Sequence, residues 1–333
     1  MPTESSVDQS EILYIDAISD ALRDEMRADP SVVLMGQDIA DHGGAFKITR
    51  GFLDEFGDQR IRNTPIAESG TIGIAIGAAM LGTKPVIEMQ FADFISCGFN
   101  QLVNVAAKMF WRTEHPVPMV IRLPGGGGMG AGAFHSQNIE AWFLHTPGLK
   151  VVTPSFSGDA YRLLRAAIRD PNPVLYFEHK FLYRRERSAI DKNTTPDRIE
   201  AESNVLRSGT DITVISWGWM THRTLEAAST LAEEGIEIEV IDLPVLCPLD
   251  ITTILESVER TSRVAIIHEA TSTGGFGAEI AAQICQDAIW TLDAPVLRIT
   301  YPDSPSPFHK DLEATRIPSA ERICSELRQL KQQ

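Results

Sequence analysis

A charge-free run of small and apolar residues constrains this chain most. From Ser69 to Thr83 the sequence reads Ser-Gly-Thr-Ile-Gly-Ile-Ala-Ile-Gly-Ala-Ala-Met-Leu-Gly-Thr, and Glu68 stands at its head. Pro65 stiffens the approach, so Glu68 falls in the first turn of the helix that follows. A helix with no charged face is expected to be buried almost all round. A carboxyl group leading such a helix either favours the positive helix end or has a chemical role. Spacing alone leaves both readings open.

Around this helix the chain alternates short apolar strands with amphipathic helices. Apolar residues at helical spacing run from Ile12 to Arg27, ending before Asp29-Pro30. Strands are expected at 32–35, 85–90, 117–123, 149–152 and 174–178, with helices at 92–108 and 158–169. A second series has strands near 212–215, 238–241, 263–267 and 296–299, and helices near 220–234, 250–259, 276–289 and 318–331. Such alternation predicts parallel sheets covered on both faces, an α/β chain of two doubly wound domains. The charged stretch 184–203 is poor in apolar residues, and 186–203 is the expected linker. The expected division is a disordered N-terminus over 1–11, one domain over 12–185 and a second over 204–333.

Net charge is -15 and the pI near 5.0, which argues against nucleic-acid binding. Cys97, Cys247, Cys285 and Cys324 are scattered without a CxxC pair and read as reduced thiols. The polar, acidic start is unlike a signal peptide, and no apolar run reaches the length of a membrane span. The expected location is cytoplasmic.

Three local signals bear on chemistry. Gly125, Gly127 and Gly130 match Gly-x-Gly-x-x-Gly after an expected strand, but no strand ending in an acidic residue follows about twenty positions on, as a dinucleotide site needs. His135 follows this loop, where an imidazole could act as acid, base or oxyanion partner, or could be satisfied by local backbone. Asp170-Pro171-Asn172-Pro173 is a turn whose carbonyls could hold a monovalent cation.

Four segments together resemble a known family: NTPIAESG (63–70), VIEMQFADF (86–94), FHSQNIEAWFLHTPGLKVV (134–152) and AAIRDPNPVLYFEHKFLYR (166–184). They are similar to the beta subunit of the thiamine-diphosphate-dependent decarboxylating component of 2-oxo acid dehydrogenase complexes, whose members handle pyruvate, branched-chain 2-oxo acids or acetoin. The likeness spans roughly 12–330. It implies an α₂β₂ enzyme with a pyrimidine-binding domain and a transketolase C-terminal-like domain. Under it, Glu68 hydrogen-bonds the cofactor's pyrimidine ring and shares a proton with a ring nitrogen. Ile66, Gln90 and Phe94 match cofactor neighbours; Phe94 replaces the tyrosine of some branched-chain members, keeping the packing without the hydroxyl. His135 matches the histidine that handles substrate and the reductive acylation of a lipoyl group. Val117, Met119, Val120, Ala167, Asp170 and Asn172 match a K⁺ site built mainly from backbone oxygens.

No Gly-Asp-Gly motif occurs, so the resemblance implies that an alpha subunit holds Mg²⁺ and the diphosphate. It also implies docking to a lipoyl acyltransferase core through a small, often basic, subunit-binding domain. Branched-chain 2-oxo acids are favoured over pyruvate. Competing readings are an acetoin dehydrogenase beta subunit, a split transketolase-like or deoxyxylulose-phosphate-synthase-like protein, and a non-catalytic module that kept the fold. A sugar-phosphate substrate would require a basic clamp, and a dinucleotide dehydrogenase would bind nicotinamide.

Overall fold

The computed structural model describes residues 11–194 and 196–333. Strands are numbered along the chain: β1 (Glu11–Leu13), β2 (Val32–Gly36), β3 (Ile61–Asn63), β4 (Lys84–Glu88), β5 (Val120–Gly125), β6 (Lys150–Val152), β7 (Val174–His179), β8 (Arg187–Ala189), β9 (Asn204–Arg207), β10 (Ile212–Ser216), β11 (Ile238–Asp242), β12 (Val245–Cys247), β13 (Val264–Thr271) and β14 (Leu297–Tyr301). Seven of them form one sheet in the order β12-β6-β7-β5-β4-β2-β3, and five form another in the order β14-β13-β10-β11-β9. Both sheets are parallel except at one edge, where β12 and β9 run antiparallel to their neighbours. β12 lies between β11 and β13 of the second sheet in the chain yet completes the first, so the two α/β units interlock.

Central strands are buried on both faces, as parallel strands flanked by helices must be; every residue of β5 and β7 is buried. The helix Tyr14–Ala28 lays its apolar stripe on the first sheet and packs beside helix Ser157–Arg169. Glu25 is buried between them and accepts hydrogen bonds from Arg165 (2.8 Å) and Arg169 (2.7 Å). Adjacent registers bring Glu88, Arg122 and Glu178 together inside the sheet. Arg122 donates to Glu88 at 2.5 Å and to both oxygens of Glu178 at 2.6 and 2.9 Å, and the Tyr183 hydroxyl donates to Glu178.

Several local expectations are corrected. The disordered N-terminus falls mostly on residues 1–10, outside the described residues, but Glu11 pairs with Ala189 in an antiparallel β1–β8 ribbon. That ribbon places Arg187–Ala189, inside the expected linker, on the first α/β unit. The expected helix 92–108 is broken into a 3₁₀ turn (Ala92–Gly98), a wide π turn (Gln101–Ala106) and an α-helix (Ala107–Thr113). The first of these segments packs tightly on helix Glu68–Met80: a Cβ on Gly98 would run into the Ile72 side chain.

The helix Glu68–Met80 is not buried almost all round. Thr71, Ile72, Ala75, Ile76 and Ala79 face the core, while Gly70, Gly73, Ile74 and Gly77 face outward, with Ile74 64% exposed and Leu81, just beyond the helix, 89% exposed. The physical reason is that only one face meets the core on that side; nothing among the described residues covers the second apolar face. No helix among the described residues is long and apolar enough to cross a membrane.

Candidate active site

Ligands of open parallel sheets bind outside the carboxyl ends of the strands, and the candidate residues gather there. Gln37 follows β2, and Glu68 opens the helix after β3. Gln90, Phe91 and Phe94 follow β4, the loop bearing His135 follows β5, and Lys180 follows β7.

Glu68 is half-buried, and Gln37 Nε2 lies 3.4 Å from its Oε1. Its helix packs on the 92–98 turn, so Glu68 lies beside the segment that carries Phe94. Ile66 is 83% exposed, a bare apolar side chain just before Glu68. Gln90 is half-buried at the mouth of the same strands. His135, Phe91 and Phe94 form an edge-to-face trio. The His135 ring centre is 4.4 Å from Phe91 and 5.4 Å from Phe94, with interplanar angles of 87° and 82°. Gln37 and Phe91 carried no distinguishing sequence signal, because an amide and a phenyl ring after a strand are common.

The glycine loop is held by the protein itself. Gly126, Gly128, Gly130 and Gly132 all have positive φ, where a side chain would be strained. The space around the loop is also filled, since a Cβ on Gly128 would meet Phe181 at 2.7 Å and Trp219 at 2.9 Å. Gly127 N donates to Glu269 Oε1 at 2.6 Å, and Gly130 N to Glu313 Oε2 at 2.7 Å. Two loop amides that a dinucleotide phosphate would need thus already face carboxylates, so the dinucleotide reading of the loop fails.

Lys180 closes the other side. Its ammonium donates to the carbonyls of Gly126 (2.8 Å) and His135 (2.5 Å) and lies 5.5 Å from the centre of the Phe91 ring. Burial draws its pKa down to about 8, against the pull of Asp93, Glu269 and Glu313. Burial alone would raise the Glu269 carboxyl, but His179, Gly127 and Asn138 together hold it below its ordinary value. His179 Nδ1 accepts from Phe181 N at 3.3 Å, which leaves Nε2 to donate to Glu269 at 2.8 Å. Asp93 accepts the Gln137 side-chain amide at 2.7 Å, tying the far end of the loop to the turn after β4.

The segments matched to a K⁺ site lie side by side: Val117 N donates to Pro171 O at 3.1 Å and Val174 N to Met119 O at 2.9 Å. Val120 opens β5, and Ala167 O accepts from Asp170 N at 3.3 Å. The Asp170 carboxylate is committed to Lys150 Nζ (2.6 Å), Asn172 N (2.9 Å) and Ile199 N (2.9 Å). A cation there would rely on backbone oxygens.

The residues fit a flat heteroaromatic ring. A carboxyl and two amides can hydrogen-bond its edge, and two phenyl rings and a bare isoleucine suit its faces. Among the described residues no cluster of three acidic, histidine or cysteine side chains could hold a metal ion.

Residues 10–186 match the transketolase pyrimidine binding domain, and residues 201–323 match the transketolase C-terminal domain. The chain is 41% identical over 320 residues to the 2-oxoisovalerate dehydrogenase subunit beta of Bacillus subtilis, covering 95% of this chain and 98% of that one. It is 41% identical over 310 residues to the pyruvate dehydrogenase E1 component subunit beta of Chaetosphaeridium globosum, covering 92% and 94%. It is 42% identical over 328 residues to the acetoin:2,6-dichlorophenolindophenol oxidoreductase subunit beta of Cupriavidus necator, covering 94% and 95%. Among solved structures, a split gene transketolase, described as an inactive beta4 tetramer, has a TM-score of 0.77 at 23% identity, covering 96% and 98%. That likeness concerns the fold.

Proposed function

The chain belongs to the family of 2-oxo acid dehydrogenase E1 beta subunits, built from transketolase-type domains, and on that premise we propose that it forms half of a thiamine-diphosphate active site completed by an alpha subunit. With that subunit it decarboxylates a 2-oxo acid and passes the acyl group to the lipoyl domain of an acyltransferase. The observation that carries this reading is the convergence of Glu68, Gln90, Phe94 and His135 at the carboxyl ends of β2 to β5.

Thiamine diphosphate, when bound, supplies the electron sink for cleavage of the bond to the carboxylate. Glu68 would hydrogen-bond the pyrimidine edge, with Gln37 beside its carboxyl. Phe94 and Ile66 would pack on the ring, and Gln90 would offer a polar contact at its margin. His135, steadied by Phe91, handles the substrate and the acyl transfer to the lipoyl group.

The diphosphate and Mg²⁺ fall to the alpha subunit, a reading supported by the lack of a Gly-Asp-Gly motif in this sequence. The outward face of helix Glu68–Met80 is the surface we assign to subunit packing in an α₂β₂ assembly, because its glycines allow backbones to approach closely. K⁺ between residues 117–120 and 167–172 would brace β5 through backbone oxygens. A branched-chain 2-oxo acid is the favoured substrate, pyruvate the next and acetoin an alternative. Sugar-phosphate transfer is disfavoured because Lys180, beside the glycine loop, is committed to two carbonyls. A non-catalytic role is disfavoured by the retention of both Glu68 and His135.

The test is co-expression with the alpha subunit, then turnover of 2-oxoisovalerate, pyruvate and acetoin with thiamine diphosphate, Mg²⁺ and an artificial electron acceptor. Turnover that requires both chains is expected. A well-folded assembly inactive on all three would overturn the reading.

A further inference from the structure

The loop that delivers His135 belongs to the first α/β unit, yet two of its anchors come from the second. Glu269 lies in β13, and Glu313 on the short helix Lys310–Ala314. Both are buried, at 8% and 1% exposure. Each is fixed by a further contact, Glu269 by His179 at 2.8 Å and Glu313 by the Ser306 hydroxyl at 3.2 Å. They accept from Gly127 and Gly130, while Lys180 on the first unit donates to the carbonyls of Gly126 and His135.

Between β5 and His135 the loop has four positive-φ glycines and three small or flexible neighbours, Met129, Ala131 and Ala133. A segment of that composition gains little rigidity from its own side chains. Its order must come from what grips its backbone. Charged acceptors make the stronger kind of N–H hydrogen bond, and a carboxylate buried without donors is costly, so each of these contacts resists opening. The grip also reaches the imidazole directly, because Lys180 touches the backbone of His135 and lies over the Phe91 ring against which His135 packs.

We propose that Glu269, Glu313 and Lys180 are positioning residues that clamp the glycine loop from both α/β units, so that the placement of His135 depends on how the two units close on each other. The proposal rests on the role of His135 given above. It assigns the second unit a part in catalysis without contact with substrate, and it explains a glycine loop that binds no phosphate: its amides serve an internal latch.

The experiment uses the full chain, alone and assembled with its alpha subunit. Hydrogen–deuterium exchange over residues 125–136 should be at least ~10-fold faster in Glu313→Ala and Glu269→Ala than in wild type. Glu313→Gln, which keeps a carbonyl acceptor for Gly130, should stay within about threefold of wild type. In the assembly, Glu313→Ala should lower kcat for lipoyl acylation by ~10-fold or more while changing the KM for the 2-oxo acid by less than about twofold, and Glu313→Gln should restore it. Should the alanine variants fail to fold, Glu313→Asp, whose shorter carboxylate draws back from Gly130, carries the same expectation. Wild-type exchange over 125–136 in the alanine or aspartate variants would overturn the clamp. Faster exchange with unchanged kcat would overturn its positioning role. A wild-type assembly with no 2-oxo acid turnover would instead overturn the functional reading, and the exchange result would still decide the clamp.

Discussion

The imidazole of His135 stands edge-on to the phenyl ring of Phe91, with centroids 4.4 Å apart and planes at 87°. Phe91 is the third residue after β4, and His135 lies at the end of the glycine loop after β5, so neighbouring strands deliver the pair. An edge-to-face contact fixes the tilt of the imidazole. Among the described residues its ring nitrogens make no hydrogen bond within the chain.

Phe91→Leu removes that ring contact and leaves an apolar side chain of similar length. Because Phe91 is only half-buried, the fold should survive, with a stability loss of about 1–2 kcal/mol. The misplaced imidazole should lower kcat for lipoyl acylation by roughly tenfold. The reaction with an artificial acceptor should fall less. Equal losses in both assays would mean that Phe91 supports the site as a whole and not His135.

Glu68→Gln keeps the shape of the side chain and its neighbour Gln37, and removes the acid. The carboxyl makes one long side-chain contact, of 3.4 Å, so the thermal midpoint should move by no more than about 2 °C. Turnover should fall by roughly two orders of magnitude or more, the scale expected for loss of a proton-handling group. Near-wild-type turnover in a correctly assembled variant would remove Glu68 from the chemistry.

Asp242 offers a test by pH. It is fully buried in β11, accepts the hydroxyls of Ser155 and Thr221 at 2.5 Å each, and is pushed by burial up to about 7. An unfolded aspartate releases its proton near pH 3.9, so between about pH 4 and pH 7 the folded chain holds a proton that the unfolded chain has lost. Stability from this group is therefore complete below about pH 4 and declines as pH rises to about 7, by an amount on the order of 4 kcal/mol. Asp242→Asn cannot ionise, and its thermal midpoint should lack this decline. The amide nitrogen costs something of its own, since Asp242 Oδ2 has no partner among the described residues; the slope across pH 4–7, not the absolute midpoint, is the quantity to compare. Identical slopes in the two proteins would show that Asp242 stays ionised.

Arg122→Met leaves Glu88 and Glu178 facing each other inside the sheet with their cation gone. Arg122 is 1% exposed and bridges both carboxylates. Removing one partner of a buried charge network typically costs about 3–5 kcal/mol. The urea midpoint should drop accordingly, and a shift under about 1 kcal/mol would mean that the carboxylates had taken up protons or water without penalty.

Ile74→Asp probes the outward face of helix Glu68–Met80. Ile74 is 64% exposed in the single chain, so the fold should be unaffected. Assembly with the alpha subunit should weaken by at least ~100-fold, because a carboxylate would be buried in an apolar contact. Sedimentation of the mixed chains reads this directly, and wild-type assembly would place the subunit contact elsewhere.

The chain's own order of residues settled the alternation of strands and helices, because apolar periodicity and the breaks at Gly, Pro and charged turns are local properties. It also fixed the candidates Glu68 and His135, one by its isolation at the head of an uncharged run and the other by its place after a glycine loop. Local pattern could not reveal what covers a face. The helix after Glu68 read as buried because its composition has no polar side, yet only the packed chain shows one face on the core and the other bare. Nor could it join Glu269 and Glu313 to Gly127 and Gly130, since those contacts span 142 and 183 residues. A glycine loop looks the same in sequence whether its amides await a phosphate or already hold a carboxylate. Tertiary structure decides between these, because a hydrogen bond depends on which groups the fold brings within 3 Å, and sequence distance says nothing about that.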